Sequence, residues 1–586
     1  MPADFPLFGD KAPAWRHIVG EGQPRGWNLE EKAKHKLHVK NVGSVDLKKL
    51  MDLPMSKKHR ETLEKLLPWL NSDEYYRDVV FDGKFFPCHL APAHMETLAR
   101  SCKVEEVTDE MRRLHPTRGT CHVFSVTEEK DLPPPDDFRE RPIGHPIHNN
   151  NGVHQQVGVK FHTREGLRSP LCGKKGQVAV QLDFSAWFDQ IELSLAQRSF
   201  YRFLMNGVLH QFVKLPMGAT QSVEVAHAIA EALADGCDPS GEVTIQVHLD
   251  NVRFLGRRVQ VLAAAAAFVD RCNEVGAILN EVKEKGELEG QVLESADFLG
   301  EHFDYKHGRV RVTEKIRNKI KLVWGRKDHW TNRDVASLYS LLFYASNTLA
   351  ITPARFFNAM RLYRRLSQTL QAEPYRWMEA APYIPQYVWA ELEEWTGEIL
   401  MNSWREIKPN PTSTKWIITD ASEWGWGAIC WDGRKAVSHQ EAWEETYRHS
   451  QNSAYAEPEA ILRALRRFIT PGEAVTIYTD HQALKFAVPK GYSPSYLVNR
   501  VLLAVQRDFG RAVKIVYVPG KWNASDCLSR NRAAVEFDRQ LTEAFIQATA
   551  LEEENGAINP VPFRWVEEPV KIPVSPAKQI DLACTN

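Results

Sequence analysis

Gln177-Val-Ala-Val-Gln-Leu-Asp-Phe-Ser-Ala-Trp-Phe-Asp-Gln190 opens in strict alternation. Val178, Val180 and Leu182 fall on one face, and Ala179, Gln181 and Asp183 on the other, which predicts a strand ending in an acid. Val243-Thr-Ile-Gln-Val-His-Leu-Asp250 repeats the arrangement. Val243, Ile245, Val247 and Leu249 point one way; Thr244, Gln246, His248 and Asp250 point the other. The apolar run Val252 to Leu255 follows Asn251, so Asp250-Asn251 is expected at a hairpin tip. Two aspartates ending neighbouring strands repel unless cations lie between them. Mg²⁺ suits such a place because it takes carboxylate oxygens together with phosphates and water. An aspartate at a strand end is common, so these two segments alone also fit ordinary surface turns.

A second set of acids lies further along. Lys415-Trp-Ile-Ile-Thr-Asp420 reads as a buried strand running into a glycine turn and a second strand, Ala421 to Cys430. Ala474-Val-Thr-Ile-Tyr-Thr-Asp480 is another strand with a terminal acid, with a helix expected over His481 to Phe486. Val516-Tyr-Val-Pro519 leads to Asn523-Ala-Ser-Asp526, where a helix can start. Between them, a helix is expected over Ala456 to Ile469, and its period separates two glutamates. Glu457 lines up with Ile461, Ala464, Leu465 and Phe468; Glu459 lines up with Arg463 and Arg466, where a surface ion pair suffices. A glutamate on the apolar stripe needs a partner, and a metal ion is one.

The rest of the chain sets bounds. At 586 residues it exceeds one ordinary core, so three or more domains are expected. Hydrophobic content of 43% with 25% charged residues is that of a soluble globular protein. Basic and acidic residues balance at 74 and 75, so bulk charge points to no polyanionic partner. Nine scattered cysteines form no CxxC pair, which argues against zinc ribbons and a disulfide scaffold and for a reducing compartment. The N-terminus lacks a secretory pattern, and the longest apolar run, Val261 to Val269, is too short to span a bilayer. A soluble intracellular protein is expected, with no membrane partner.

Residues 1–120 read as mixed helical material whose basic clusters, Lys32 to Lys40 and Lys57 to Arg60, fit solvated helix faces. The run Leu132-Pro-Pro-Pro135 reads as a break before an alternation of strands and helices over 139–305. Residues 311–405 are mostly helical, and Pro409 with Pro411 marks a linker. A basic segment from Lys315 to Lys327 precedes Arg355-Phe-Phe-Asn-Ala-Met-Arg-Leu-Tyr-Arg-Arg365, which interleaves bases with aromatics. That pattern suits phosphate tracking with base stacking, and equally a helix with a solvated basic face and a packed aromatic one.

Between the first two strands lies Leu215-Pro-Met-Gly-Ala-Thr-Gln-Ser222, and after them come Asn280-Glu-Val-Lys283 and Phe298-Leu-Gly-Glu301. In this order, within about 120 residues, the span of an ordinary domain, the segments resemble motifs A to E of the reverse-transcriptase palm. The resemblance implies that Asp183 and Asp250 ligate metal and that Phe188 gates against a ribonucleotide's 2′-hydroxyl. It also implies that Pro216, Gly218 and Gln221 line the substrate site and that Lys283 meets the departing phosphate. Arg139 and Arg141 fit fingers residues on the incoming triphosphate; surface ion pairs are the plain alternative. Motif C departs from the pattern: His248 stands where an aromatic is usual, and Asn251 replaces the second aspartate with an uncharged amide.

Asp420, Glu457, Asp480 and Asp526 resemble the four-carboxylate set of the ribonuclease H family. No histidine lies between His481 and Asp526, so the mobile histidine of some members is missing. Residues 139–530 thus resemble a retrotransposon reverse transcriptase–ribonuclease H, with wording nearest the tyrosine-recombinase elements of the DIRS, Ngaro and VIPER groups. The implied fold is a multidomain α+β and α/β chain: a right-hand polymerase of fingers, palm and thumb, then a connection and a mixed-sheet ribonuclease H domain. Expected bounds are 1–120 for an N-terminal region, 121–305 for fingers and palm and 306–410 for thumb and connection. The ribonuclease H domain follows over 411–532 and a tail over 533–586. The implied activity is RNA- and DNA-templated DNA synthesis with cleavage of the RNA in hybrids. Two Mg²⁺ per site are implied, with Mn²⁺ as a substitute. The implied partners are an RNA template, a DNA primer, their hybrid and dNTPs. The rival readings are a nuclease with a silent palm and a domesticated nucleic-acid-binding subunit.

Overall fold

The computed structural model describes residues 29–71, 76–130, 132–154, 157–409, 411–444, 453–509, 512–518, 520 and 523–531. Pro519 and the tail expected from 533 lie outside the described residues. The chain forms two compact units. One runs up to residue 297 and includes 303–309; the other takes 298–302 and the chain from 310 onward.

In the first unit, Val178–Asp183 lies between Asn251–Gly256 and Val292–Leu293, with Thr244–His248 outermost and every pair antiparallel. Asn251 sits opposite Asp183 on one side and His248 on the other, so the hairpin turns on Leu249 and Asp250. Two helices, Thr220–Ala234 and Arg258–Val275, contribute to the core. Ala226, Ile229, Ala230 and Leu233 from the first, and Ala264, Ala265, Phe268 and Val269 from the second, are buried with Val180, Leu182, Val252 and Phe254 of the strands. The alanine-rich run is therefore core helix, and among the described residues no helix is long and apolar enough to cross a membrane.

Three expectations need correction here. The prolines after Leu132 sit in the loop joining two antiparallel strands, His122–Glu129 and Phe138–His145, so they close a hairpin instead of separating regions. A proline fits there because a loop asks no ladder donor of it. Residues before 120 also supply strands: Lys36–Leu37 pairs with Phe138–His145, Cys88–His89 with His122–Glu129, and Val104–Glu106 with Val208–Phe212. Lys32, expected on a solvated face, is buried and donates to the Ser125 carbonyl at 2.6 Å.

The second unit begins with four helices, Glu314–Trp324, Asn332–Leu349, Phe357–Ala372 and Gln386–Met401. Their core is aromatic: Phe356 stacks on Trp395 at 4.8 Å and Tyr339 on Tyr363 at 4.6 Å. This decides between the two readings of 355–365. Phe356 and Tyr363 are core residues unavailable for base stacking, while Arg361, Arg364 and Arg365 are exposed. Arg355 is held by Glu394 and Glu398 at 2.7 and 2.6 Å.

A five-stranded sheet follows, in the order Ala436–Ala442, Gly425–Trp431, Lys415–Ala421, Val475–Thr479, Val513–Tyr517. The first two pairings are antiparallel and the last two parallel. Parallel neighbours need a crossover, and helix Ser453–Phe468 lies in the first of them, burying Ala460, Ile461, Ala464 and Leu465 with Ile417, Val475 and Ile477.

Candidate active sites

Asp420 and Asp480 end the adjacent parallel strands of this sheet, and helix Ser453–Phe468 lays Glu457 against them. One carboxylate oxygen from each of Asp420, Glu457 and Asp480 lies within 4.8 Å of the others. Among the described residues this is the only such group able to hold a cation. Asp526 begins a short helix beside it, and its charge acts on both Asp420 and Asp480. Gly427, opposite Asp420 in the neighbouring strand, lets that helix come close: a Cβ there would meet the Ser529 amide nitrogen at 2.9 Å.

Burial and then the Asp480 charge push the Asp420 carboxyl up to about 8. Burial, followed by Asp526, pushes Asp480 up to about 6. Burial, followed by the charges of Asp420 and Asp480, pushes Glu457 well above its ordinary range. Two of the acids are held by fixed donors. Asp420 accepts from Asn523 Nδ2 at 3.3 Å and from the Ser529 hydroxyl, while Glu457 Oε1 accepts from the Ala421 amide at 3.0 Å. Glu457 Oε2, buried on a side chain only 6% exposed, has no hydrogen-bond partner among the described residues. A divalent cation satisfies all of these features, since it supplies the charge that the crowded carboxylates lack and a partner for the orphaned oxygen. The donor set, oxygen only, is that of Mg²⁺ or Mn²⁺. Glu459, by contrast, pairs with Arg463 at 3.1 Å.

The acids of the first unit are arranged differently. Asp183 lies close enough for its charge to act on Asp250: burial and then Asp183 raise the Asp250 carboxyl, and Arg141 pulls the other way. The Phe184 amide donates to the Asp250 carbonyl at 3.0 Å, fixing the turn against the strand. Asn251 Nδ2 donates to Asp250 Oδ1 at 3.2 Å, so the residue in the second-aspartate position supplies a donor instead of a charge. Leu249 adopts φ +58°, a left-handed conformation that costs a non-glycine residue about 1–2 kcal/mol.

Motif reading missed Glu281. Its Oε2 accepts the Asp183 amide at 3.0 Å, and burial together with Asp183 pushes it up to about 8. Its neighbour Asn280 donates to Asp183 Oδ2 at 2.5 Å and is itself touched by Lys40 Nζ at 3.3 Å. No sequence signal marks Glu281, because contacts made from a loop have no period.

The other residues expected at this site have varied surroundings, and of them Arg141 is the one whose charge bears on Asp250. Gln221 is fully buried and donates to the hydroxyls of Tyr76, at 2.9 Å, and Tyr201, so its amide serves the core and not a substrate. Pro216 is buried, and its carbonyl accepts from the Ser222 hydroxyl at 2.9 Å. Gly218 is exposed with φ +121°, and a Cβ there would sit 2.7 Å from the Gly144 carbonyl oxygen. Phe188 is half-buried against the core and Lys283 is exposed. Arg139 and Arg141 both donate to Glu128 Oε2, at 2.7 and 2.9 Å, and together with Lys130 on the other oxygen they hold that carboxyl down to about 2 against its burial. They form the ion pair that was the plain alternative. Gln246 and Arg253, unmarked in the sequence, are buried and bonded to each other, with Arg253 also donating to the Leu167 carbonyl at 2.5 Å.

No family model matches the chain, and neither does any curated protein. Solved structures similar to it include three of foamy viral protease-reverse transcriptase. The dRH form in complex with double-stranded DNA is 13% identical over 83% of this chain and 84% of that one, with a TM-score of 0.42. A second, also with double-stranded DNA, is 13% identical over 82% and 99%, with a TM-score of 0.41. A third, with an RNA/DNA hybrid, is 13% identical over 83% and 65%, with a TM-score of 0.42.

Proposed function

We propose that this chain is a reverse transcriptase with ribonuclease H activity, built as fingers and palm, thumb and connection, and a ribonuclease H domain. The observation that carries the reading is the group of Asp420, Glu457 and Asp480 with its buried, unpartnered Glu457 oxygen. Such crowded carboxylates are expensive without a cation and useful with one. When bound there, a pair of Mg²⁺ ions supplies an activated water and charge neutralisation at a phosphodiester. The chain's own part is to hold the acids still: Ser529 and Asn523 orient Asp420, and the Ala421 amide orients Glu457.

Polymerisation is assigned to Asp183 and Asp250, which the sheet brings to the same hairpin end. The substrates are an RNA or DNA template, a DNA primer, dNTPs and the resulting hybrid, and the setting is a retroelement of the tyrosine-recombinase kind. Phe188, Lys283, Arg139 and Arg141 keep their assignments as substrate-facing groups on position alone. One observation favours the rival nuclease with a silent palm: Asn251 brings an amide, not a carboxylate, to Asp250.

The test gives the purified chain an RNA template, a labelled DNA primer, dNTPs and Mg²⁺, beside Asp183→Ala and Asp480→Ala variants. Extension lost only in the first and RNA cleavage lost only in the second is the expected result. Cleavage without extension in the unaltered chain means the nuclease reading is right. Absence of both activities despite duplex binding would sink the enzymatic reading altogether.

A further inference from the structure

Helix Thr220–Ala234 carries a histidine that touches the hairpin at its most strained point. His227 is 3% exposed, and its Nδ1 lies 3.1 Å from the backbone nitrogen of Leu249. A backbone N–H can only donate, so Nδ1 must be the unprotonated nitrogen and the proton sits on Nε2. Nε2 in turn lies 3.3 Å from Glu231 Oε1, one helical turn on. The Phe161 ring lies against both His227, at 4.8 Å, and His248, at 4.4 Å, which fixes the plane of the imidazole.

The residue that receives this bond matters. Leu249 is in the left-handed region, where a leucine stays only if its surroundings hold it. The strand pairing skips Leu249 and Asp250, so the ladder does not satisfy the Leu249 amide. His227 does so instead. Without that acceptor a half-buried N–H would be left unpaired and the turn free to relax, and Asp250 is the next residue.

We propose that His227 is a positioning residue for DNA synthesis: its Nδ1 pins the Leu249 amide, and through it the turn that presents Asp250. This rests on the reading of Asp183 and Asp250 as the polymerase acids. It makes the helix that follows Leu215-Pro-Met-Gly218 a support for the hairpin as well as a wall of the core. Asparagine can replace the imidazole in this role, since its Oδ1 branches from Cγ as Nδ1 does. Phenylalanine keeps a ring but offers no acceptor.

The experiment compares the full chain with His227→Phe and His227→Asn in primer extension, in hybrid cleavage, and in amide hydrogen exchange of the peptide containing Leu249. His227→Phe is expected to lower kcat for extension by roughly ten- to a hundredfold, as a small misplacement of a reacting group does. Its RNA cleavage should match that of the unaltered chain, and amide exchange in the other core segments of the first unit should be unchanged, which together show that both units have folded. Its Leu249 amide should exchange at least about tenfold faster, as a lost local hydrogen bond requires. His227→Asn should recover most of both. Equal loss in the two variants means the ring's packing matters and not its acceptor, and overturns the proposal. So does unchanged Leu249 exchange in His227→Phe. No extension by the unaltered chain is a different failure: it removes the polymerase reading, and the proposed role for His227 falls with it.

Discussion

Replacing Asp420 by asparagine should stabilise the metal-free protein. Two of the grouped carboxylates, both ionised at the 4.8 Å limit, would repel by about 3 kcal/mol at an effective dielectric near 20. Burial first, and this repulsion after it, favour the protonated acid and push the Asp420 carboxyl up to about 8. The sign follows from proton counting. Unfolded, the group ionises near its ordinary value of about 4, so between there and about 8 the folded state binds more protons. Its contribution is fully present below the unfolded pKa and is lost as pH rises through the folded one. Four pH units set a ceiling near 6 kcal/mol, and sharing among the coupled acids brings the expected gain to about 2–4 kcal/mol at pH 8.5. That is a rise in Tm of roughly 5–15 °C at about 2–4 °C per kcal/mol. The amide can keep both local bonds, accepting from Asn523 and donating to the Ser529 hydroxyl, so little is lost in exchange. The assay is thermal or urea unfolding with EDTA from pH 4 to 9. The variant's advantage should vanish near pH 4 and shrink when Mg²⁺ binds the unaltered chain. A variant less stable than the unaltered chain at pH 8.5, or an advantage independent of pH, would refute the electrostatic argument.

Other outcomes follow from the same geometry. Glu457→Gln should weaken Mg²⁺ binding at the second-unit site by tenfold or more, about 1.4 kcal/mol or above, measured by calorimetry, while leaving primer extension intact. Saturating Mg²⁺ at about a hundred times its Kd should add about 2.7 kcal/mol to unfolding stability, and EDTA should remove it. Gly427→Ala should push away the helix that begins at Asp526; hybrid cleavage should fall and that site's stability drop by about 1–3 kcal/mol, read by activity and urea unfolding. Arg253→Met should cost about 2 kcal/mol or more in chemical denaturation, because it strips donors from Gln246 and the Leu167 carbonyl.

Period and chain order made part of this molecule legible in advance. Glu457 separates from Glu459 because a helix has a fixed register, and burial in the structure follows the same division. The strand end at Asp183 was visible because apolar alternation stops there, and those at Asp420 and Asp480 because a run of strand-forming residues ends in an acid. What stayed hidden depends on partners distant in sequence. Lys32 is buried by a carbonyl at 125, Gln221 by a tyrosine at 76, and Arg253 by a carbonyl at 167. No local pattern encodes such meetings, and a polar residue looks solvated until its partner is found. The same holds for the prolines after Leu132: composition marks a break, but only strand pairing shows that the chain returns on itself.

The shared carboxylate of Glu128 has a consequence for whatever anion reaches that corner. Two guanidiniums and the Lys130 ammonium share that one acid, so the cluster keeps an excess of positive charge, and an arriving phosphate is drawn to it while exchanging with the carboxylate for the same donors. Such an exchange favours a guest bearing several charges over one bearing a single charge. The displaced acid keeps a partner, because the Lys130 ammonium lies 3.0 Å from its other oxygen.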